Sequence, residues 1–155
     1  MNWFVLKTEP TTFSVDDLCR AGQTPWDGVR NFEASRILHE RMAVGDQVFI
    51  YHSGQRSKDG PAVVGLGQVV SNAYPDPSQW QQEAPGFDPR CTPGRPRWWC
   101  RDIAYVRHLR RPIALAELCR TPELAAERLC QRGNRLSVLP IAASAAERIL
   151  TLEAF

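Results

Sequence analysis

No apolar run in the sequence is long enough to span a bilayer, and the opening "MNWFVLKTEP" lacks the basic and apolar regions of a secretory signal. Neither membrane insertion nor export is expected, and a cytoplasmic location is. The five cysteines (Cys19, Cys91, Cys100, Cys119 and Cys130) include no CxxC pair and no Cys/His zinc spacing, and their number is odd. The expectation is reduced thiols, with no disulfide framework, structural metal or cofactor. A P-loop, a Rossmann glycine fingerprint, HExxH and GxSxG are all missing, so nothing positive points to catalysis. Lysine is scarce as well: 17 of the 19 basic residues are arginine.

What is present suits one soluble domain over residues 1–155, with 43% hydrophobic and 23% charged residues. The net charge is only +2, but it is unevenly spread. Between positions 90 and 111, seven arginines (Arg90, Arg95, Arg97, Arg101, Arg107, Arg110, Arg111) face a single acid, Asp102. One reading is a phosphate-facing surface, since the guanidinium fork suits phosphates and base stacking. The other is compositional, as a GC-rich genome yields arginine without selection for binding.

Along the chain, "NWFVLKT" (2–8) reads as a first strand ended by Pro10. "SVDDLCRAG" (14–22) reads as a short helix capped by Ser14 and closed by Gly22. "FEASRILHERM" (32–42) places Phe32, Ile37, Leu38 and Met42 near one helical face, with Asn31 as candidate cap. A turn followed by a strand is expected over 45–53 and a second, long strand over 61–74, with Gly65 and Gly67 marking a bulge or close backbone approach. Residues 72–97 hold six of the twelve prolines and little regularity. A strand is expected over 97–109, with Trp99, Ile103 and Tyr105 on one face. A helix over 121–133 follows, then an extended piece over 135–141 and a helix over 144–150 with a Ser144–Glu147 capping box. Strands in the middle with helices early and late, and no regular crossovers, imply an α+β fold built on a small twisted or closed antiparallel sheet.

"TPWDGVRN" (24–31) is the segment richest in chemistry. Pro25 and the Asp27-Gly28 turn signal make it a loop, yet it carries an indole, a guanidinium and an amide. Trp26 either plugs the core from that loop or serves as an aromatic platform for a flat polar ligand. Trp98, Trp99, Tyr51 and Tyr74 add π-faces, while Arg30, Asn31, His52 and Ser53 add directional donors and acceptors. That mixture suits an unstacked base. Adjacent His52 and Ser53 point to opposite faces of a strand and make a poor base–nucleophile pair. Nothing in the sequence brings Glu9 and Asp27 together as a carboxylate pair.

"WFVLKTEP", "WDGVRN", "GDQVFIYHS", "VVGLGQVVSNAYPDPSQW", "RWW" and "RLSVLPI" occur in an order and spacing that resembles the EVE domain family, of the PUA-like group. The likeness runs from Trp3 to about Leu152. Departures are Thr8 where the family usually has serine, Arg101 at a normally apolar strand position, and a loop over 84–97 rich in proline and arginine. The resemblance implies a PUA-like β-barrel of about five to six mostly antiparallel strands, flanked by helices. It also implies a pocket that accepts a flipped, often modified base, drawing on Lys7, Thr8, Glu9, Trp26, Arg30, Asn31, Tyr51, His52, Ser53, Leu136 and Ser137. Plainer roles stay open for several: Lys7 as a solvated strand end, Glu9 paired with Arg30 or Arg135, Tyr51 in the core, Asn31 as a helix cap, and Ser137 serving its own turn.

The resulting expectation is a monomeric, non-catalytic reader of modified bases in single-stranded or base-flipped DNA or RNA. Arg90, Arg95, Arg97, Arg107 and Arg110 would hold phosphates in a salt-sensitive way. Two rivals are an enzyme with Glu9 or His52 as general base, and a protein-interaction module that uses the basic loop.

Overall fold

A strand covered on both faces reads as a continuous apolar run, and "FVL" at positions 4–6 is such a run: Phe4, Val5 and Leu6 are buried without alternation. They lie in the first strand, β1 (Trp3–Thr8), of a computed structural model that describes residues 1–54 and 59–155. After β1 come α1 (Val15–Ala21), β2 (Gln23–Pro25), α2 (Phe32–Arg36), β3 (Gln47–His52) and β4 (Ala62–Val69). The second half holds β5 (Tyr74–Pro75), β6 (Trp99–Cys100), β7 (Asp102–Ala114), α3 (Leu115–Arg120), β8 (Val138–Ile141) and α4 (Ala143–Leu152).

Six strands form one sheet in the order β2-β7-β4-β3-β1-β8, curled into a half-barrel with the helices around it. β5 and β6 make a separate two-stranded ribbon. The fold is α+β, as expected. All pairings are antiparallel except β1 with β3, whose register runs from Trp3↔Gln47 to Thr8↔His52. That parallel pair brings the C-terminal ends of two central strands to one rim of the sheet.

The two glycines of β4 answer to close packing. A Cβ on Gly67 would lie 2.9 Å from both the Ala104 carbonyl oxygen and Ile103 Cγ2; on Gly65 it would lie 2.6 Å from Val15 Cγ2. Ladder irregularities fall beside both residues, where β4 crosses β3 and β7. The α1 signals also match. Ser14 Oγ accepts from the Asp17 N–H, the Asp17 carboxylate accepts from the Ser14 N–H, and Gly22 closes the helix at φ +80°.

Several expectations need correction. The helix foreseen over 121–133 is instead a chain of turns with one 3₁₀ turn at Arg128–Cys130. Thr121 does not cap it, because its hydroxyl donates back to the Glu117 carbonyl at the end of α3. Nor are all the cysteines reduced: Cys119 and Cys130 form a disulfide across that turn region, while Cys19, Cys91 and Cys100 are free. Spacing alone could not reveal a pair brought together by chain reversal. The Ser144–Glu147 capping box is not made, since α4 starts at Ala143 with no side-chain cap. The helix over 32–42 becomes a π-helical turn at Ile37–Arg41, and Phe32 is not on its buried face but 59% exposed.

Arg101 explains why the long strand over 97–109 breaks. Its buried guanidinium donates to the carbonyls of Leu38 and His39 in the π-turn and to that of Ser71. One arginine thus satisfies backbone acceptors that helical bonding leaves open. Burial lowers its pKa, but a guanidinium remains charged across the ordinary pH range.

Candidate functional site

Where β1 ends, Pro10 prevents further pairing and the chain turns. The Glu9 carbonyl accepts from the Thr12 and Phe13 N–H groups (both 2.9 Å), and Thr8 Oγ1 donates to the Phe13 carbonyl (2.7 Å). Ser137, just before β8, accepts from the Lys7 N–H (2.9 Å). The segment Thr24–Asn31 lies against this turn. It is pinned where the Trp26 N–H donates to the Arg101 carbonyl (2.8 Å) and where the Gly28 N–H donates to Asp76 Oδ2 (2.8 Å). Gly28 has φ +77°, a conformation that costs a residue with a side chain, so the Asp-Gly pair serves the turn as its sequence suggests.

Between these segments lies a cavity of about 350 Å³. Its walls are Lys7, Thr8, Thr12 and Phe13 from the strand end and turn, Thr24 to Asn31 from the loop, and Ser137. The volume is at the small end of ligand-binding clefts, and the wall has the usual character: apolar surface with a few convergent polar groups. Trp26 is only 7% exposed and sits edge-to-face on Phe13 (6.4 Å between ring centroids). The two readings of Trp26 therefore merge, for it belongs to the core and also forms part of the cavity wall.

Charge around the cavity is arranged by a buried carboxylate just outside it. Asp76, fully buried, accepts from the Gly28 N–H, Arg30 Nη1 (3.0 Å), the Ser78 N–H (2.8 Å) and Ser78 Oγ (2.7 Å). Burial would raise its pKa, but the hydrogen bonds from Ser78, Gly28 and Arg30 outweigh that, and the net shift is downward. Asp27, in the cavity wall, goes the other way: burial raises its pKa, and the neighbouring Asp76 charge adds to it. Glu9 is thus not the carboxylate partner of Asp27; Asp76 is its charged neighbour. Burial lowers the pKa of Lys7, whose ammonium lies 5.4 Å from the Tyr51 ring centroid.

Six of the residues singled out in the sequence line the cavity: Lys7, Thr8, Trp26, Arg30, Asn31 and Ser137. Arg30 is committed to the protein itself. It donates to the carbonyls of Gly86 (2.8 Å) and Val29 (3.0 Å), to Ser78 Oγ (2.8 Å) and to Asp76, and it lies over the Trp98 ring. Asn31 caps α2 through Oδ1, which accepts from the Ala34 N–H (3.0 Å). Its amide nitrogen has no such duty, so capping and facing the cavity are compatible.

The other five lie elsewhere. Glu9 is exposed and makes no ion pair among the described residues, so pairing with Arg30 or Arg135 is not seen. Tyr51 is buried in the core. His52 Nε2 accepts from the Val15 N–H (3.0 Å) at the start of α1, and burial lowers its pKa. The Ser53 N–H donates to the Thr8 carbonyl (2.9 Å), and Leu136 is core. Sequence reading passed over Thr12, Phe13, Asp27 and Val29 as cavity walls; only Asp27 carried a signal, which was spent on the turn.

The arginines do not form one surface. Arg107 makes a two-point pair with Glu153 (2.8 and 3.0 Å), beside Arg110. Arg90 pairs with Asp88 (3.1 Å), and Arg97 lies against the rings of Phe32 and Trp98. Among the described residues the Arg95 and Arg110 guanidinium groups make no hydrogen bond or ion pair, although the Arg110 N–H donates to Glu153 Oε1 (3.2 Å) and its charge helps to lower the Glu153 pKa. The other aromatics are also engaged. Trp98 Nε1 donates to Asp88 (2.9 Å), Trp99 stacks on His39 (3.6 Å), and the Tyr74 hydroxyl donates to Asp102. Burial raises the Cys100 thiol pKa to about 12, which marks it as a packing residue.

Fold and cavity together define a PUA-like half-barrel with an aromatic and polar hollow at one rim of the sheet. Residues 2–152 match the EVE domain, and the chain belongs to that family. It is 34% identical over 171 aligned residues to thymocyte nuclear protein 1 of Rattus norvegicus, covering 98% of this chain and 74% of that protein. A solved Pseudomonas syringae protein superposes with a TM-score of 0.91 at 36% identity, covering 97% of this chain and 99% of that one. Human THYN1, solved in complex with 5-methylcytosine containing DNA, superposes with a TM-score of 0.88 at 31% identity, covering 100% of this chain and 99% of that one. Among the described residues, no helix is long and apolar enough to cross a membrane, and no group of three metal-ligating side chains occurs.

Proposed function

We propose that this chain is a non-catalytic reader of a modified, cytosine-type base in DNA or RNA, acting as a monomer on a single strand or a flipped-out nucleotide. The observation that carries this reading is the roughly 350 Å³ cavity walled by Trp26 and Phe13 and edged by Lys7, Thr8, Asp27, Asn31 and Ser137. The human relative solved with 5-methylcytosine DNA supports the choice of ligand. A base that enters gains stacking on the indole, while carboxyl, amide and hydroxyl groups meet its edge. Asp27 is suited to the exocyclic amino group of cytosine, which donates to a carboxylate.

A single added methyl is discriminated modestly, by about 1–3 kcal/mol. A polar mark that bonds Asn31 or Ser137 is separated more sharply, because its loss leaves unpaired a group that the bound base covers. Arg95 and Arg110 retain guanidinium groups for phosphates; Arg90, Arg97 and Arg107 must share theirs with Asp88 or Glu153. The enzymatic alternative draws no support from the positions of His52, whose ring nitrogen is occupied by a backbone donor, or of Glu9, which lies off the cavity wall.

The test is titration with modified nucleosides and short modified strands at two salt concentrations, followed by intrinsic fluorescence and mass spectrometry. Quenching by 5-methyl-2′-deoxycytidine with no mass change is the expected result. Turnover of the base, or indifference to every nucleoside, would refute the proposal.

A further inference from the structure

The exposed Phe32 is left without a purpose by the cavity. It follows Asn31 directly, so its Cα lies about 3.8 Å from that of a cavity-wall residue. One face of the ring stacks on the buried Trp98, with centroids 4.7 Å apart and planes 18° apart. With that face covered and the Arg97 guanidinium 5.0 Å from the ring centroid, 59% of the residue is still exposed to solvent. Stacking on Trp98, which is only 4% exposed, holds the ring at the surface and leaves the rest of it available to a partner.

Phe32 stands in a second hollow, of about 390 Å³, which shares Arg30 with the first and also holds Phe87, Arg90 and Trp98. Phe87 is 36% exposed. Arg97 lies 5.0 Å from the Phe32 ring centroid, and the Arg90 side chain is 68% exposed. Arg90 in the lining and Arg97 beside it both draw on one carboxylate of the lining, Asp88, so the surface around Phe32 keeps a positive excess. Open aromatic faces among surplus guanidinium groups are the equipment of a single-strand platform: every base has a π-face, and its phosphate follows the cations.

The hollow is also braced by hydrogen bonds. Gln79, fully buried, donates from Nε2 to the carbonyls of Asp76 (2.8 Å) and Trp98 (3.0 Å) and accepts at Oε1 from the N–H groups of Arg97 (2.9 Å) and Trp98 (3.2 Å). This side chain fastens one end of the proline-rich loop to the other. Arg30, through Gly86 and Ser78, ties the loop to the cavity.

We infer that the Phe32 face is a second subsite, which stacks the base of the nucleotide next to the one held in the cavity while Arg90 and Arg97 take the phosphate that joins the two. The inference rests on the cavity being a base site. It makes the protein a reader of an unpaired stretch of strand, with affinity that depends on the flanking nucleotide.

Two probes separate the sites: free 5-methyl-2′-deoxycytidine, and a short single-stranded DNA with one central 5-methylcytosine. Calorimetric titration of wild type, Phe32→Ala and Phe32→Leu is the measurement. The leucine variant keeps apolar cover over Trp98 but has no π-face. Both variants are expected to bind the nucleoside as wild type does and to bind the strand about 5- to 100-fold more weakly. Removing the flanking base from the strand is expected to give the same loss in wild type and no further loss in either variant. Unchanged strand affinity in the Phe32 variants would overturn the second subsite and leave the cavity standing. Equal losses for nucleoside and strand would overturn it too, as a distortion of the cavity. Failure of the wild-type protein to bind the nucleoside would overturn the cavity reading instead.

Discussion

Asp76→Asn is the most searching perturbation of this fold, because it alters one buried atom without changing the volume. Asp76 is fully buried and accepts four hydrogen bonds, two at each oxygen: Gly28 and Arg30 at Oδ2, and the N–H and hydroxyl of Ser78 at Oδ1. An asparagine keeps one acceptor and turns an NH₂ toward two donors, whichever way it sits. Breaking a buried pair typically costs about 3–5 kcal/mol. The Arg30 side chain is 23% exposed and can turn toward water, so about 2–4 kcal/mol is the expected loss. At a urea m-value of about 1–3 kcal/mol/M, the midpoint should fall by roughly 1–3 M. The pKa of Asp76 is lowered in the folded state, so its stabilisation is fully present above its unfolded value of about 3.9 and fades as pH drops below that. Urea titrations at a series of pH values should therefore show the gap between wild type and variant constant near neutrality and closing in acid. A midpoint shift near zero, or a gap that persists unchanged into acid, would refute the account of this carboxylate.

Trp26→Leu should weaken binding of a 5-methylcytosine strand by about 5- to 100-fold, a loss that survives high salt, whereas Arg107→Ala should have a small, salt-sensitive effect; titration at two ionic strengths tells these apart. Gly67→Ala should destabilise by about 1–3 kcal/mol in chemical denaturation, because the new methyl meets the Ala104 carbonyl oxygen and Ile103 at 2.9 Å and β4 is hemmed in by β3 and β7. Unfolded without reductant, the protein should release three titratable thiols (Cys19, Cys91 and Cys100), and reduction should add two; replacing Cys119 and Cys130 by serine should cost about 3 kcal/mol for the short loop they close.

Local interactions were readable in the sequence wherever they decide structure by themselves. The apolar runs of β1 and β3, the Ser14 cap and Gly22 stop of α1 and the Asp27-Gly28 turn all follow from a few neighbouring residues, and Gly65 and Gly67 signalled a close approach whose partners (Val15, Val48, Ile103 and Ala104) lie far along the chain. The EVE resemblance added the half-barrel and named half the cavity wall. What the sequence could not decide depends on partners far along the chain. The arginine run looked like one basic surface, but Glu153, Asp88 and the backbone at Leu38 claim its members one by one. Phe32 fits a helical stripe, yet a ring 66 positions later draws it outward. The helix signals after Thr121 yielded to a hydroxyl that bonds backward and to a disulfide between cysteines 11 residues apart. Periodicity and capping report what a segment prefers in isolation; which charge is neutralised, and which aromatic face stays open, is settled only when distant segments are packed together and each buried polar group must find its partner.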